Sequence, residues 1–430
     1  MDSLLPLGAG GSADPRAAMA RTDLTRFLGF MAQLLLLLAV FYFYDIEERV
    51  FGILALLMVA GFAIHYWLPF HWKQHFYIGW SLIGAFVLLS PATAATLIVA
   101  GLGLYGLATN SLPLRIRLIS IVALACVLVY GRATLGFGIP VEFWAVFGSI
   151  FMFRFLIYLY DVAHSKERPQ LKDFMTYFFV LPNYYFLLFP VIDYQTQRRT
   201  YFRRDINEIV QQGISWIARG TVQLLLYRLV YHWKGPSNVP EEVTTFPGLV
   251  STMVLTYLLY LRVSGHFHII IGFLHLFGYD LPETHRRYLL ARSLTDFWRR
   301  INIYWKDFMV KLVYFPVYFR LRRGGEIRAQ IVATLLVFAV TWFLHAYQWF
   351  WLRGEFLVSW PDTLFWAVLG GLVTVNLLLE RKVGSSKRRS RVLEAVQIAG
   401  TFCLIVTLWS LWSSPTVGEW LDLITWWRIG

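Results

Sequence analysis

The chain has 430 residues, 57% of them hydrophobic and only 15% charged, with a formal net charge of +13 and a mean hydropathy of +0.54. Soluble domains carry about 25% charged residues, so a soluble globular protein is excluded and an all-α, polytopic membrane protein is expected. The positive charge is assigned to cytoplasmic loops and anionic lipid headgroups rather than to nucleic acid, because no polar domain remains to carry a nucleic-acid site.

Residues 1–26, rich in Gly, Ala and Ser and carrying Arg16, Arg21 and Arg26, read as a flexible N-terminal segment. The first apolar run, 27–44, has no clear small-residue cleavage site after it and reads as a retained span. Further apolar runs follow at 50–69, 77–91, 92–108, 117–131, 143–160, 174–192, 209–231, 247–263, 266–279, 331–352, 361–379 and 395–412. At ~1.5 Å rise per residue across a ~30 Å hydrocarbon core, the runs 77–91, 92–108 and 266–279 are short enough to be tilted or re-entrant, leaving roughly ten to twelve crossings. No long polar linker interrupts 27–412, which reads as one transmembrane domain, and 413–430 reads as an interfacial tail. Cys126 and Cys403 lie in apolar runs and form neither a disulfide framework nor a metal cluster. His65, His71 and His75 stand beside Trp67 and Trp72 at a span boundary and read as interfacial residues. His266 and His268 point to different sides of a helix, a poor metal pair that His275 does not improve; no metal is expected.

Orientation follows from the basic breaks. The segments 320–328 and 381–391 are rich in Arg and Lys and are expected in the cytoplasm, whereas Asp45–Glu48 and Glu419–Asp422 suit the opposite face. Between the first two, residues 331–351 form an apolar run with a histidine inside it. An ionisable ring in such a run is expensive unless it is partnered, which favours function over packing for His345. At 1.5 Å per residue His345 lies ~25 Å from Arg328 and ~12 Å from Arg353, nearer the outer face. The competing reading is a core histidine bonded to a backbone carbonyl.

Residues 290–315 are too charged to cross, yet Leu290, Leu294, Phe297, Ile301, Trp305, Phe308, Leu312 and Phe315 recur every three or four residues. This stripe predicts one amphipathic helix, lying at the interface or lining a polar cavity. Asn302 borders the stripe on the side of Trp298 and Trp305, where a polar amide needs partners. Asp296 with Arg300 and Asp307 with Lys311 have the spacing of simple helix-surface ion pairs.

From about Phe147 to Trp351 the sequence resembles the membrane-bound O-acyltransferase family, most closely its bacterial alginate-acetylating and teichoic-acid D-alanylating branch. The resemblance rests on Ser264-Gly265, Gly272, Leu276-Phe-Gly278, Leu281-Pro-Glu283, Leu290-Ala-Arg-Ser293, Phe297-Trp-Arg-Arg300 and Tyr314-Phe-Pro316, with Phe153 to Asp161 and Leu181-Pro182 upstream. His345 falls where that branch has its essential histidine. Three departures accompany it. Ile301-Asn302 stands where the branch commonly has Trp-His, His268 stands where it has Asp, and a Gly-Pro after the earlier Phe-Pro motif is not clear. An Asn with a later His is similar to the lipid- and sterol-acylating branch.

The resemblance implies a catalytic core over about 147–352 and acyl transfer from a cytoplasmic thioester, as acyl-CoA or on an acyl-carrier protein, with no tightly bound cofactor. It implies His345 and Asn302 as the catalytic pair. Trp298, Arg299, Arg300, Tyr304, Trp305, Lys306, His268, Tyr347 and Gln348 become candidates for donor or substrate binding, the cations through donor phosphates. The acceptor is expected to be a hydroxyl on a cell-envelope or exported glycan, with a lipid alcohol or secreted small molecule as the alternative. The partners expected are the bilayer of a bacterial inner membrane and a separate extracytoplasmic acyltransferase or glycan-export protein. A proton-coupled transporter is the reading from a different class, but no paired halves with broken helices are visible. A glycan polymerase would be expected to carry a large extracytoplasmic loop, and no break is long enough.

Overall fold

The computed structural model describes residues 14–134, 138–165, 169–234, 243, 245–383, 391–425 and 427. Residues 1–13 and 384–390, which include most of the basic 381–391 run, lie outside them. The described chain is helical throughout, with no strand beyond one isolated bridge between Tyr201 and Tyr279. Eight helices among the described residues are long and apolar enough to cross a membrane, or nine with the bent pair Val141–Gly148 and Phe153–His164 taken as one span. The protein is therefore an integral membrane protein.

Two helices, Phe70–Leu88 and Ile206–Lys234, are as long but more polar, and run beside the spans. Ile206–Lys234 begins where the Asn207 side chain meets Tyr66, whose hydroxyl reaches Asp23. It ends where Arg228 reaches the carbonyls of Tyr44 and Asp45, at the far end of Leu24–Phe43. Its length therefore matches that of a spanning neighbour.

Two expected elements differ. The runs 247–263 and 266–279 are one passage, Phe246–His275, broken only around Leu259-Tyr260. The run 174–192 does not cross. A short helix, Leu171–Phe178, gives way to a 3-10 turn at Leu181–Tyr184 and then to irregular chain through Pro190. Pro182 and Pro190 cannot donate to a helical ladder. The irregular backbone is tolerated because protein surrounds it, with Tyr177 donating to the Ile192 carbonyl at 2.7 Å.

The closest pairing joins Ile206–Lys234 to Leu261–His275. Four glycines make it possible: a Cβ on Gly220 would stand 2.5 Å from the Gly265 carbonyl oxygen, and one on Gly272 would stand 2.6 Å from that of Gly213. Small residues at a helix crossing let backbones approach where apolar burial alone cannot drive association.

Ion pairs and helix directions sort the ends. Arg381 pairs with Glu326, Arg292 with Glu394, and Arg203 and Arg204 with Asp280 at one end. Arg320, Arg322 and Arg323 belong to this basic end. Asp45, Glu47, Glu48, Glu419 and Asp422 belong to the other. There Glu47 accepts from Arg262 at 2.9 Å and from His266 at 2.9 Å. Burial pushes the Glu47 carboxyl up, but these two partners outweigh it and hold it down at about 2. His65, expected at the interface, is instead fully buried against Phe277 and Phe202; His71 and His75 are exposed.

A candidate active site around His345

The stripe over 290–315 is two short helices and not one. Ser293 caps Leu294–Arg300, its hydroxyl accepting from the Asp296 amide at 3.1 Å. The chain then turns at Asn302, whose φ of 39° is left-handed, and re-enters a helix at Ile303–Met309. Asparagine is among the few residues that adopt this backbone readily, because its short amide bonds locally. Here its Oδ1 accepts from the Trp305 amide at 3.3 Å. The break is pinned from outside, with Ile303 N donating to Thr284 O at 2.8 Å and Arg286 N to Arg300 O at 2.9 Å. Hydrophobic periodicity persists across the break because both helices bury the same kind of face, so the pattern gave no sign of it.

A π-helical turn, Val310–Tyr314, follows. Lys311 leaves it to meet Asp161 and Asp193 together, in place of the i,i+4 pair expected with Asp307, which pairs instead with Lys306. This half-buried bridge ties the segment after Asn302 to the helix ending at His164.

His345 belongs to the single helix Glu326–Arg353. Its Nδ1 lies 2.8 Å from the carbonyl of Thr341, one turn back. A carbonyl only accepts, so Nδ1 carries the proton and Nε2 is left with its lone pair. The Thr341 hydroxyl accepts from the Trp305 indole at 3.3 Å, which links the Asn302 segment to the same helix turn. Three indoles surround the imidazole: Trp366 at 4.9 Å, Trp305 at 5.3 Å and Trp412 at 6.3 Å between ring centroids.

His345, Asn302, Trp305 and Gln348 line one cavity of about 680 Å³. Its wall is mainly apolar and aromatic, including Phe153, Phe189, Tyr260 and Trp409, and residues 413–415, Glu419 and Leu423 place its mouth at the acidic end. A second, polar cavity of about 760 Å³ lies at the basic end, lined by Arg16, Lys172 and Arg199, by Asp161, and by Arg198 paired with Asp173 at 3.0 Å. Between them stands Arg154, 2% exposed. It donates to the carbonyl of Tyr177, which lines the basic-end cavity, and lies 4.1 Å from the ring centre of Phe189, which lines the other.

The remaining sequence candidates lie elsewhere. Trp298 packs on Phe338 at 4.6 Å, away from the cavity. Arg299 faces Glu380, Arg300 binds Asp296 and Lys306 binds Asp307, so each of these cations already has a carboxylate. Tyr304 is buried and donates to Pro282 O. Tyr347 lies against Trp351 and Phe343. His268 is buried with Gln223 and the Ser264 carbonyl, 5.9 Å from the ring of His285. His285, in the loop after this passage, is held well below the usual histidine range by burial and by the nearby His268 and Arg219. Among the described residues no three His, Cys, Asp or Glu side chains are placed to hold a metal ion.

Three residues near His345 were not singled out in the sequence. Asp362 and Trp366 open the helix Trp360–Val383, where an acidic residue reads simply as favourable to a helix start. Trp412 ends the helix Arg391–Ser413, where an aromatic reads as part of an interfacial belt.

No family model matches the chain, and a search of curated proteins finds no significant similarity. The class defined by fold and site is that of a polytopic helical membrane protein with a histidine-bearing cavity open toward its acidic end.

Proposed function

We propose that the protein is a membrane-embedded O-acyltransferase of the membrane-bound O-acyltransferase type. It moves a short acyl group from a cytoplasmic thioester to a hydroxyl on an envelope or exported glycan in a bacterial inner membrane. The observation that carries this reading is the meeting of His345 and Asn302, from separate segments, in one cavity. The nine apolar passages together with Phe70–Leu88 and Ile206–Lys234 are taken as its crossings, with the basic end in the cytoplasm.

The chemistry follows from the proton positions. The lone pair on His345 Nε2 takes the acceptor hydroxyl's proton as its oxygen attacks the thioester carbonyl. Asn302 Oδ1 is engaged with the Trp305 amide, which leaves its Nδ2 hydrogens to meet the developing oxyanion. Collapse of the tetrahedral intermediate breaks the carbon–sulfur bond, and the proton on Nε2 goes to the leaving thiolate. The polar basic-end cavity offers cations to an anionic donor. The acceptor enters from the acidic end, where a partner that completes delivery to the glycan would dock.

The mainly apolar wall also suits a lipid alcohol. The half-buried Lys311 between Asp161 and Asp193 favours the transporter reading, since charges held within a helical bundle serve in proton relays. Incubation of membranes with labelled acetyl- and long-chain acyl-CoA separates these. Label on glycan supports the proposal, label on lipid transfers it to the alternative acceptor, and label on neither, with proton-coupled uptake in liposomes, replaces it. His345→Ala should abolish labelling while the protein still purifies as a folded species; full activity in that variant sinks the reading.

A further inference from the structure

The imidazole of His345 is held from behind by indoles that are themselves held by one carboxylate. Asp362 Oδ1 accepts from the Trp412 indole at 2.7 Å and from the Trp366 indole at 3.2 Å. Those are two of the three rings that enclose His345. Trp412 is braced on its far face by Phe365, stacked at 4.9 Å with a 9° interplanar angle. Asp362 itself is fixed at the first turn of Trp360–Val383, its amide donating to Ser359 Oγ at 3.2 Å. One oxygen thus joins two helices, through Trp366 on its own and Trp412 on Arg391–Ser413, to the base on a third.

The arrangement has a chemical purpose. The Nδ1 contact to Thr341 fixes which nitrogen is free, but a single hydrogen bond leaves the ring able to swing about it. The packed Trp366 and Trp412 rings limit that swing, and the nearer indole, Trp366, tilted by 42° at 4.9 Å, favours the cation that forms when Nε2 takes a proton. An indole rotates about two side-chain bonds unless its N–H is anchored. We infer that Asp362 is a positioning residue for His345, acting through Trp366 and Trp412 to aim Nε2 into the cavity. The inference rests on the acyl-transfer reading for its kinetic consequence but not for its geometry.

The test uses the full-length protein in detergent or proteoliposomes. Asp362→Ala should lower kcat between about tenfold and about a hundredfold, with the donor KM nearly unchanged. Asp362→Asn, whose carbonyl oxygen can accept both indole protons, should restore most of the rate. Trp366→Phe with Trp412→Phe removes both N–H groups and keeps the rings. It should reproduce the Ala defect, and adding Asp362→Ala to that pair should change little further. A merely structural role predicts additive losses and no rescue by Asn.

A second arm does not depend on turnover. Carbethoxylation of His345 by diethylpyrocarbonate, mapped by mass spectrometry, should accelerate several-fold in Asp362→Ala and stay at the wild-type rate in Asp362→Asn. Ultraviolet resonance Raman difference spectra should show two indole N–H groups losing their bonds in the Ala variant only. Unchanged carbethoxylation in Asp362→Ala overturns the inference whatever the activity. Wild-type protein that transfers no acyl group, yet shows the predicted change, overturns the reaction and leaves the positioning role standing.

Discussion

At the scale of single residues, Asn302 carries two duties that can be separated. Its left-handed backbone and its cap on the Ile303–Met309 helix are structural; its amide nitrogen is chemical under the proposed reaction. Glycine tolerates the same backbone and loses little as a cap, whereas alanine loses the cap and strains the turn. Asn302→Gly should therefore keep the thermal midpoint close to wild type while losing most transfer activity. Asn302→Ala should cost about 2 kcal/mol in stability as well, read as a shifted chemical denaturation midpoint. Equal activity in both variants and the wild type would remove Asn302 from the chemistry. His345 and Asn302 were legible in the sequence because each is a polar residue out of place on an apolar pattern. Asp362 was not, since an acid in the first turn of a helix is unremarkable until the indoles it holds are seen against the histidine.

At the scale of elements, hydrophobic period located helices well and breaks poorly. The 331–352 run is the core of one helix, as its uninterrupted pattern implies. The stripe over 290–315 reads as one helix because a turn at Asn302 that returns the chain to the same buried face leaves the period intact. Pro182 and Pro190 warned against a span over 174–192, but composition alone masked them. The glycines of the crossing pair had a plain meaning only once the partner helix was known. Gly220→Leu forces a side chain onto the Gly265 backbone and should destabilise the protein by at least about 3 kcal/mol; Gly29→Leu, where nothing lies within 4 Å of the added Cβ, serves as the control in the same denaturation series.

Glu47 ties the loop between Leu24–Phe43 and Arg49–Trp67, at the acidic end, to the Phe246–His275 passage. Its carboxyl is held at about 2 against an ordinary value of 4.5. The folded value is the lower one, so its contribution is fully present above 4.5 and is lost as pH falls from 4.5 through about 2. The thermal midpoint of Glu47→Gln should lie below wild type at pH 7, and the gap should narrow steadily across that acid window. A gap that widens on acidification contradicts the assignment.

At the scale of the whole molecule, the described basic clusters at one end and the acidic loops at the other set an orientation that can be read in cells. With Cys126 and Cys403 replaced by Ala, a cysteine at Glu355 should react with a membrane-impermeant maleimide from outside, and one at Gly324 only after permeabilisation. The reverse pattern would turn the His345 cavity toward the cytoplasm and remove the case for an external acceptor. The sequence already placed His345 nearer the Arg353 end of its helix, because helix rise converts residue number to depth. It did not place the cations: Arg299, Arg300 and Lys306 look available for a donor until their carboxylates are seen, and the basic-end cavity is lined instead by Arg16, Lys172 and Arg199, far apart in sequence.

Arg154 has a consequence beyond the site. The two hollows open at opposite ends of the bundle, and a continuous file of water between them would short-circuit the cell's proton gradient. A fixed positive charge between the two hollows would repel protons and metal cations alike, as it does in water-selective pores. On that argument the residue between Tyr177 and Phe189 would serve as electrical insulation. Liposomes carrying Arg154→Ala should dissipate an imposed pH gradient faster than those with the unaltered protein, even if both move acyl groups equally well.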